Sequence, residues 1–143
     1  MGITPAIVLA ELERQLQEKK KEDFLIRDVL DLTCGTSTGS IIAALVAAGV
    51  PAEKIRHFYE NEGVDLFNNA KNPIYTRFLL PKYKREPFHE TLEDILQNDS
   101  AYKRKDITLG ELGEYSQCSG PENTNAFKFM ATAYNLASCR THF

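Results

Sequence analysis

The chain has 143 residues, 43% of them hydrophobic and 26% charged, which is the composition of one ordinary globular domain rather than of a disordered segment. A formal net charge of −3 gives no broad basic field and argues against nucleic acid as a partner. The cysteines fit neither a zinc-ligand spacing nor a disulfide framework, so no metal or other cofactor is expected; they are Cys34, Cys118 and Cys139.

The sequence also argues against a targeting or membrane-spanning segment. Its most apolar run, residues 41–50, is well short of the ~20 residues that span a bilayer. No basic region precedes an apolar stretch at the N-terminus, and Ala6 stands where the myristoylation pattern requires Ser or Thr. We therefore expect a cytoplasmic or peripheral-membrane location, without a signal peptide or transmembrane helix.

The first predicted element is a helix that begins near Thr4, with Pro5 in its first turn. Its apolar residues recur at helical spacing and form one face: Ile7, Val8, Leu12 and Leu16. Charged and amide side chains occupy the other face: Glu11, Arg14, Gln15 and Glu18.

A strand is predicted over residues 29–34, which are apolar at nearly every position. Such a run favours a strand covered on both faces, as in a parallel sheet. Cys34 within it is expected to be a small buried residue. A helix follows over residues 40–48, and Gly49 and Pro51 are typical of its end.

Further helices are predicted over residues 52–61 and 88–97, with one helical turn at residues 109–112. A strand is predicted over residues 126–136, leading through a turn towards a hairpin. Residues 78–85 interleave aromatic and basic side chains, which suits either a loop over the core or contact with a lipid interface.

The predicted strand and helix meet at a G-x-S-x-G motif: Gly35, Thr36, Ser37, Thr38 and Gly39. A serine at such a turn is typical of a nucleophile elbow, in which glycines two positions away on either side relieve steric crowding. Ser37 is then exposed at the N-terminus of a helix, and the backbone N–H of Thr38 is a candidate oxyanion-hole donor.

Other interpretations of the motif stay open at this point. One is a glycine-rich turn without catalysis. Another is a phosphate-binding loop, but such a loop requires Gly-Lys-Ser/Thr at its end, and no lysine occurs between Lys21 and Lys54. A serine nucleophile also needs a base, and the candidates for a Ser-His-Asp triad are His57, His89 and His142.

Residues 31–44, which contain the motif, resemble the nucleophile segment of the patatin-like phospholipases. Residues 3–13 are similar to the first helix of that family, and residues 107–112 and 129–136 match segments further along. The resemblance implies a three-layer α/β/α acyl hydrolase with a Ser-Asp dyad, no histidine or metal in the catalytic step, and a phospholipid or other acyl-ester substrate.

The family carries its aspartate in Asp-Gly-Gly or Asp-Gly-Ala, and a glycine-rich oxyanion loop before its first helix. The sequence contains no such Asp motif, and only Gly2 aligns with the loop. We therefore interpret residues 1–143 as one partial patatin-like domain, truncated at both ends, which carries Ser37 alone and is inactive in isolation. The alternatives are a non-catalytic fragment that binds a lipid surface or a partner, and an esterase that uses His142 or His89.

Overall fold

A computed structural model describes residues 2–20, 24–63, 86–108, 110–112, 128–135 and 140–142. The main helices in these ranges are α1 (Ile3–Lys20), α2 (Thr38–Ala47), α3 (Ala52–His57) and α4 (Glu86–Asn98). The strands are β1 (Leu32–Gly35), β2 (Lys128–Ala131), β3 (Ala133–Asn135) and β4 (Arg140–His142). The described residues also contain a 3-10 helix at Ile26–Val29 and a π-helix at Phe58–Glu62.

The strands of the described residues form one parallel and one antiparallel pair. β1 runs parallel to β2, with Leu32 opposite Lys128 and Gly35 opposite Ala131. β3 pairs antiparallel with β4. The single strand predicted over residues 126–136 is therefore two strands, β2 and β3, which separate at Thr132. This mixture of helices and parallel strands confirms the α/β class.

The strand that precedes the G-x-S-x-G motif is shorter than the sequence indicates. Residues 26–29 form the 3-10 helix, and the Leu25 N–H donates to Asp28 Oδ2 over 2.9 Å at its start. β1 begins only at Leu32, whose side chain is 49% exposed, and Cys34 is exposed as well. The expectations of a strand covered on both faces and of a buried Cys34 are therefore wrong within the described residues.

The core lies around α2, which packs against both β1 and β2. Its largest fully buried side chains include Val46, Val50, Ile55 and Phe58. Gly49 has a φ of +70° just after α2, as its predicted role in ending that helix requires. α3 extends to His57 and continues without a break into the π-helix, so the predicted helix over residues 52–61 has two geometries.

α1 buries a different face from the one that its large apolar residues mark. The buried residues are Ala6, Ala10 and Glu13, whereas Val8 is 60% exposed and Leu12 is 43% exposed. Alanines at this spacing allow α1 to approach α3, against which it packs. The apolar face predicted from the sequence is thus largely turned away from the core.

Glu13 links α1 by hydrogen bonds to two other elements. Its Oε2 accepts the N–H of Ile26 over 2.7 Å, and its Oε1 accepts the N–H of Ala52 over 2.9 Å. These donors lie at the starts of the 3-10 helix and of α3, where helical N–H groups lack partners within the helix. A buried carboxylate therefore satisfies two otherwise unpaired donors.

The remaining predicted elements lie close to their expected positions. α4 spans Glu86–Asn98, one to two residues beyond the predicted range at each end, and residues 110–112 form a helical turn. Residues 78–85 lie outside the described residues. Within the described part of the chain, no helix is both long and apolar enough to cross a membrane.

Candidate active site

Ser37 lies at the sharp turn between β1 and α2 and has φ 54° and ψ −127°. Non-glycine residues rarely adopt a positive φ, and a conformation of this kind costs about 1–3 kcal/mol, so it persists only where surrounding contacts enforce it. Ser37 is exposed, and it directly precedes the first residue of α2. The strand, turn and helix that the motif predicts are therefore present, with the strain concentrated at the serine.

The two glycines of the motif are not equivalent. A Cβ on Gly35 would lie 2.1 Å from the carbonyl oxygen of Gly39 and 2.6 Å from the backbone nitrogen of Ser40. Among the described residues, a Cβ on Gly39 would meet no atom within 4 Å apart from the backbone of its own helix. The steric requirement is thus supported for Gly35, while the same expectation for Gly39 is wrong.

Hydrogen bonds hold the turn together from within. The Gly39 N–H donates to the Thr36 carbonyl over 2.9 Å, and the Ser40 N–H donates to the Ser37 carbonyl over 3.0 Å. The Ser40 hydroxyl donates to the Gly35 carbonyl over 2.7 Å, and the same carbonyl accepts the Thr132 N–H over 3.3 Å. The end of β1 is therefore tied both to α2 and to the residue that follows β2.

The backbone N–H of Thr38 opens α2 and has no acceptor among the described residues. The first N–H groups of a helix carry a partial positive charge and lie where an anion is stabilised. A free donor next to Ser37 is what an oxyanion hole requires of the residue after the nucleophile.

Tyr59 is a contact of the turn that the sequence did not reveal. Its hydroxyl donates to the Thr38 carbonyl over 2.8 Å, across 21 positions of sequence. The side chain is 6% exposed, and burial raises the pKa of the Tyr59 hydroxyl to about 12. Because a buried tyrosine usually forms a hydrogen bond through its hydroxyl, the sequence could have suggested such a bond for Tyr59. It could not have identified Thr38 as the partner, since that depends on tertiary structure.

Neither His57 nor His89, two of the three candidate bases of a histidine triad, is hydrogen-bonded to the turn within the described residues. His57 is exposed on α3, and His89 is exposed on α4, where its Nδ1 lies 3.2 Å from Glu93 Oε1. His142 belongs to β4. Within the described ranges no side chain is hydrogen-bonded to the Ser37 hydroxyl, and no group of three or more His, Cys, Asp or Glu residues could hold a metal ion.

An open apolar cleft of about 620 Å³ adjoins the turn. Val8 of α1, Leu32 and Cys34 of β1, and Gly39 and Ile42 of α2 are among the residues that line it. The open space in front of Gly39 therefore forms part of a larger apolar surface between α1, β1 and α2.

A parallel strand that turns through a strained serine into a helix is a backbone arrangement typical of nucleophile elbows in α/β proteins. Comparison with known families is more specific. The model of the family described as "Patatin-like phospholipase" matches residues 2–140, and the chain belongs to that family.

Curated relatives agree with this assignment. The chain is 35% identical to "Patatin-like protein 4" of Arabidopsis thaliana in an alignment of 107 positions that covers 66% of this chain and 26% of the relative. It is 30% identical to the "cGAMP-activated phospholipase" of Escherichia coli over an alignment of 104 residues that covers 71% of this chain and 29% of the relative. It is 34% identical to "Patatin group M-1" of Solanum tuberosum over 63% of this chain and 26% of the relative. The chain thus spans less than a third of the length of each of these relatives.

Proposed function

We propose that this chain is the nucleophile-bearing part of a lipid acyl hydrolase that cleaves acyl esters, such as those of phospholipids, with Ser37 as the nucleophile. The observation that carries the proposal is the strained backbone of Ser37 at the turn from β1 to α2. Membership of the patatin-like phospholipase family supports a lipid ester as the substrate class.

In the proposed reaction, Ser37 Oγ attacks the carbonyl carbon of the ester while its proton passes to a general base. The carbonyl oxygen becomes an oxyanion, and the Thr38 N–H is one of the donors that stabilise it. The tetrahedral intermediate then collapses and its ester C–O bond breaks; the leaving alkoxide takes the proton from the general base and departs as the alcohol, and the acyl group stays on Ser37. Water attacks this acyl-enzyme, releases a free fatty acid and restores the serine hydroxyl.

We propose that the base is the aspartate of a Ser-Asp dyad, which is supplied by residues other than these 143. Loss of a general base costs about 10²–10⁴ in rate, and loss of one oxyanion donor costs about 10²–10³. The isolated chain is therefore expected to hydrolyse lipid esters very slowly, although Ser37 keeps its geometry.

A fluorophosphonate probe tests Ser37 directly, because it phosphonylates reactive serines and leaves a mass that peptide mapping can locate. Because the base is absent, we expect labelling to be slow, but the Thr38 N–H beside an exposed serine should make it faster at Ser37 in the folded chain than at its other serines or at the same serine in the chain unfolded by urea. A Ser37→Ala variant should lose this adduct, while the control Ser100→Ala, which alters a buried serine of a different segment, should keep it. Equal labelling of Ser37 in folded and unfolded chain contradicts the proposal.

Hydrolysis of a p-nitrophenyl ester and of phospholipid vesicles by the isolated chain tests the assignment of the base. Slow or no turnover is expected. Rapid turnover that Ser37→Ala abolishes would show that the 143 residues contain a base, and replacement of His57, His89 and His142 in turn would then identify a histidine.

A further inference from the structure

Tyr59 reaches the elbow from a separate part of the chain. The described hydrogen bonds around Ser37 otherwise come from residues 35–40 and from Thr132 after β2. Tyr59 belongs to the π-helix that continues α3, and its hydroxyl donates to the carbonyl of Thr38, the residue that follows the strained serine. Because π-helical turns are rare and concentrate at functional sites, this one merits a functional explanation.

The Tyr59 ring is held in place on two sides. The ring of Phe58 contacts it edge-on, with centroids 5.0 Å apart and planes at 81°. Gly2 approaches it so closely that a Cβ there would lie 2.3 Å from Tyr59 Cε1. The hydroxyl therefore has little freedom to leave the Thr38 carbonyl, and burial keeps it protonated as a donor well above neutral pH.

We propose that Tyr59 is a positioning residue for Ser37: its hydroxyl anchors the first turn of α2 and so maintains the strained backbone that exposes the serine. This inference rests on the proposed function and deepens it. The physical reason is that a strained residue relaxes when its neighbours are free to move, and the Thr38 carbonyl lies one peptide unit beyond Ser37. Removing the anchor lowers the population of molecules in which Ser37 and the Thr38 N–H have the reactive arrangement.

Tyr59→Phe removes the hydroxyl and preserves the ring. The chain offers a matched control in Tyr102→Phe, because the Tyr102 hydroxyl also donates to a backbone carbonyl, that of Glu111, over 3.0 Å. Tyr102 lies after α4, and Glu111 is not part of the turn at Ser37. Both variants therefore lose a hydrogen bond of the same type, and only one loses it at the elbow.

The measurement is the saturation kinetics of fluorophosphonate labelling at Ser37 in the folded chain. We expect Tyr59→Phe to lower the limiting labelling rate constant about fivefold, the effect of losing one net hydrogen bond, with an unchanged half-saturating probe concentration. Tyr102→Phe should leave both constants as in the wild type, although the thermal transitions of the two variants shift by similar amounts. An unchanged rate constant in Tyr59→Phe, or an equal fall in Tyr102→Phe, overturns the inference.

Hydrogen exchange separates this inference from the proposed function. If the wild-type chain shows no preferential label at Ser37, the proposed function fails. The exchange rates of the Gly39 and Ser40 amides still measure the stability of the turn, because both amides donate hydrogen bonds to carbonyls of the turn. Positioning predicts exchange about fivefold faster at these amides in Tyr59→Phe than in Tyr102→Phe. Equal exchange in the two variants refutes the role of Tyr59 whatever the reactivity of Ser37.

Discussion

Replacing each motif glycine by alanine tests the origin of the strained turn. In Gly35→Ala the new Cβ would lie 2.1 Å from the Gly39 oxygen, whereas ordinary contacts to carbon begin above 3 Å. The end of β1 and the start of α2 must therefore separate by about 1 Å. In Gly39→Ala the Cβ meets no other element of the described residues, and the residue lies in the first turn of α2.

The cost of Gly35→Ala follows from the contacts that this separation disturbs. Overpacking against backbone costs about 1–3 kcal/mol. The hydrogen bonds from Ser40 Oγ and the Thr132 N–H to the Gly35 carbonyl, at 2.7 and 3.3 Å, contribute about 1 kcal/mol each. We expect a total loss of about 3–5 kcal/mol, a large part of the 5–15 kcal/mol typical of a domain. Gly39→Ala should be neutral or up to about 1 kcal/mol stabilising, because alanine favours a helix.

Urea denaturation followed by far-ultraviolet circular dichroism gives the free energy of unfolding of each variant. Fluorophosphonate labelling of Ser37 on the folded protein gives the functional effect, which should be a strong loss in Gly35→Ala and retention in Gly39→Ala. The reasoning is refuted if Gly35→Ala unfolds within about 1 kcal/mol of the wild type, or if Gly39→Ala is destabilised as strongly.

Two further predictions concern stability. Glu13→Ala leaves the Ile26 and Ala52 N–H groups unpaired in the interior, at about 1–3 kcal/mol each, so we expect a loss of about 2–6 kcal/mol in urea denaturation. Glu11→Ala, which removes an exposed carboxylate from the same helix, should cost much less, and similar losses in both variants would contradict the role of Glu13. The pKa of Tyr59 is raised by burial to about 12, against 10 in the unfolded chain, so its contribution to stability is complete below about pH 10 and is lost as the pH rises towards 12. The urea midpoint of the wild type should therefore fall more steeply than that of Tyr59→Phe over this range, and parallel curves for the two proteins would disprove it.

The sequence predicted the features that depend on neighbours along the chain. The helix from near Thr4, the helix after the motif and the helix at residues 88–97 are all present, because spacing, glycine and proline act locally. The resemblance to patatin-like phospholipases also came from local segments, and the family match over residues 2–140 confirms it. The roles of Ser37, Gly35, Thr36, Thr38 and Gly39 in catalysis stay predictions that the labelling experiments address.

The predictions from the sequence were wrong where they concerned which face of an element is buried, or where one element ends and the next begins. Helical spacing grouped Val8 with Leu12, but it could not show that the alanine stripe with Glu13 faces α3. An apolar run predicted a strand from residue 29, whereas Asp28 caps a 3-10 helix there and delays the strand to Leu32. Periodicity determines which residues share a face, and packing partners determine which face is buried.

The sequence by itself therefore determined the motif, the order of strand, turn and helix around Ser37, and the family. Only the tertiary structure distinguished Gly35 from Gly39, because that difference depends on how closely the backbone returns on itself. It also joined Tyr59 to Thr38 across 21 positions and Glu13 to Ala52 across 39. A hydrogen bond between distant segments is set by the relative placement of whole helices, which no local pattern of residues encodes.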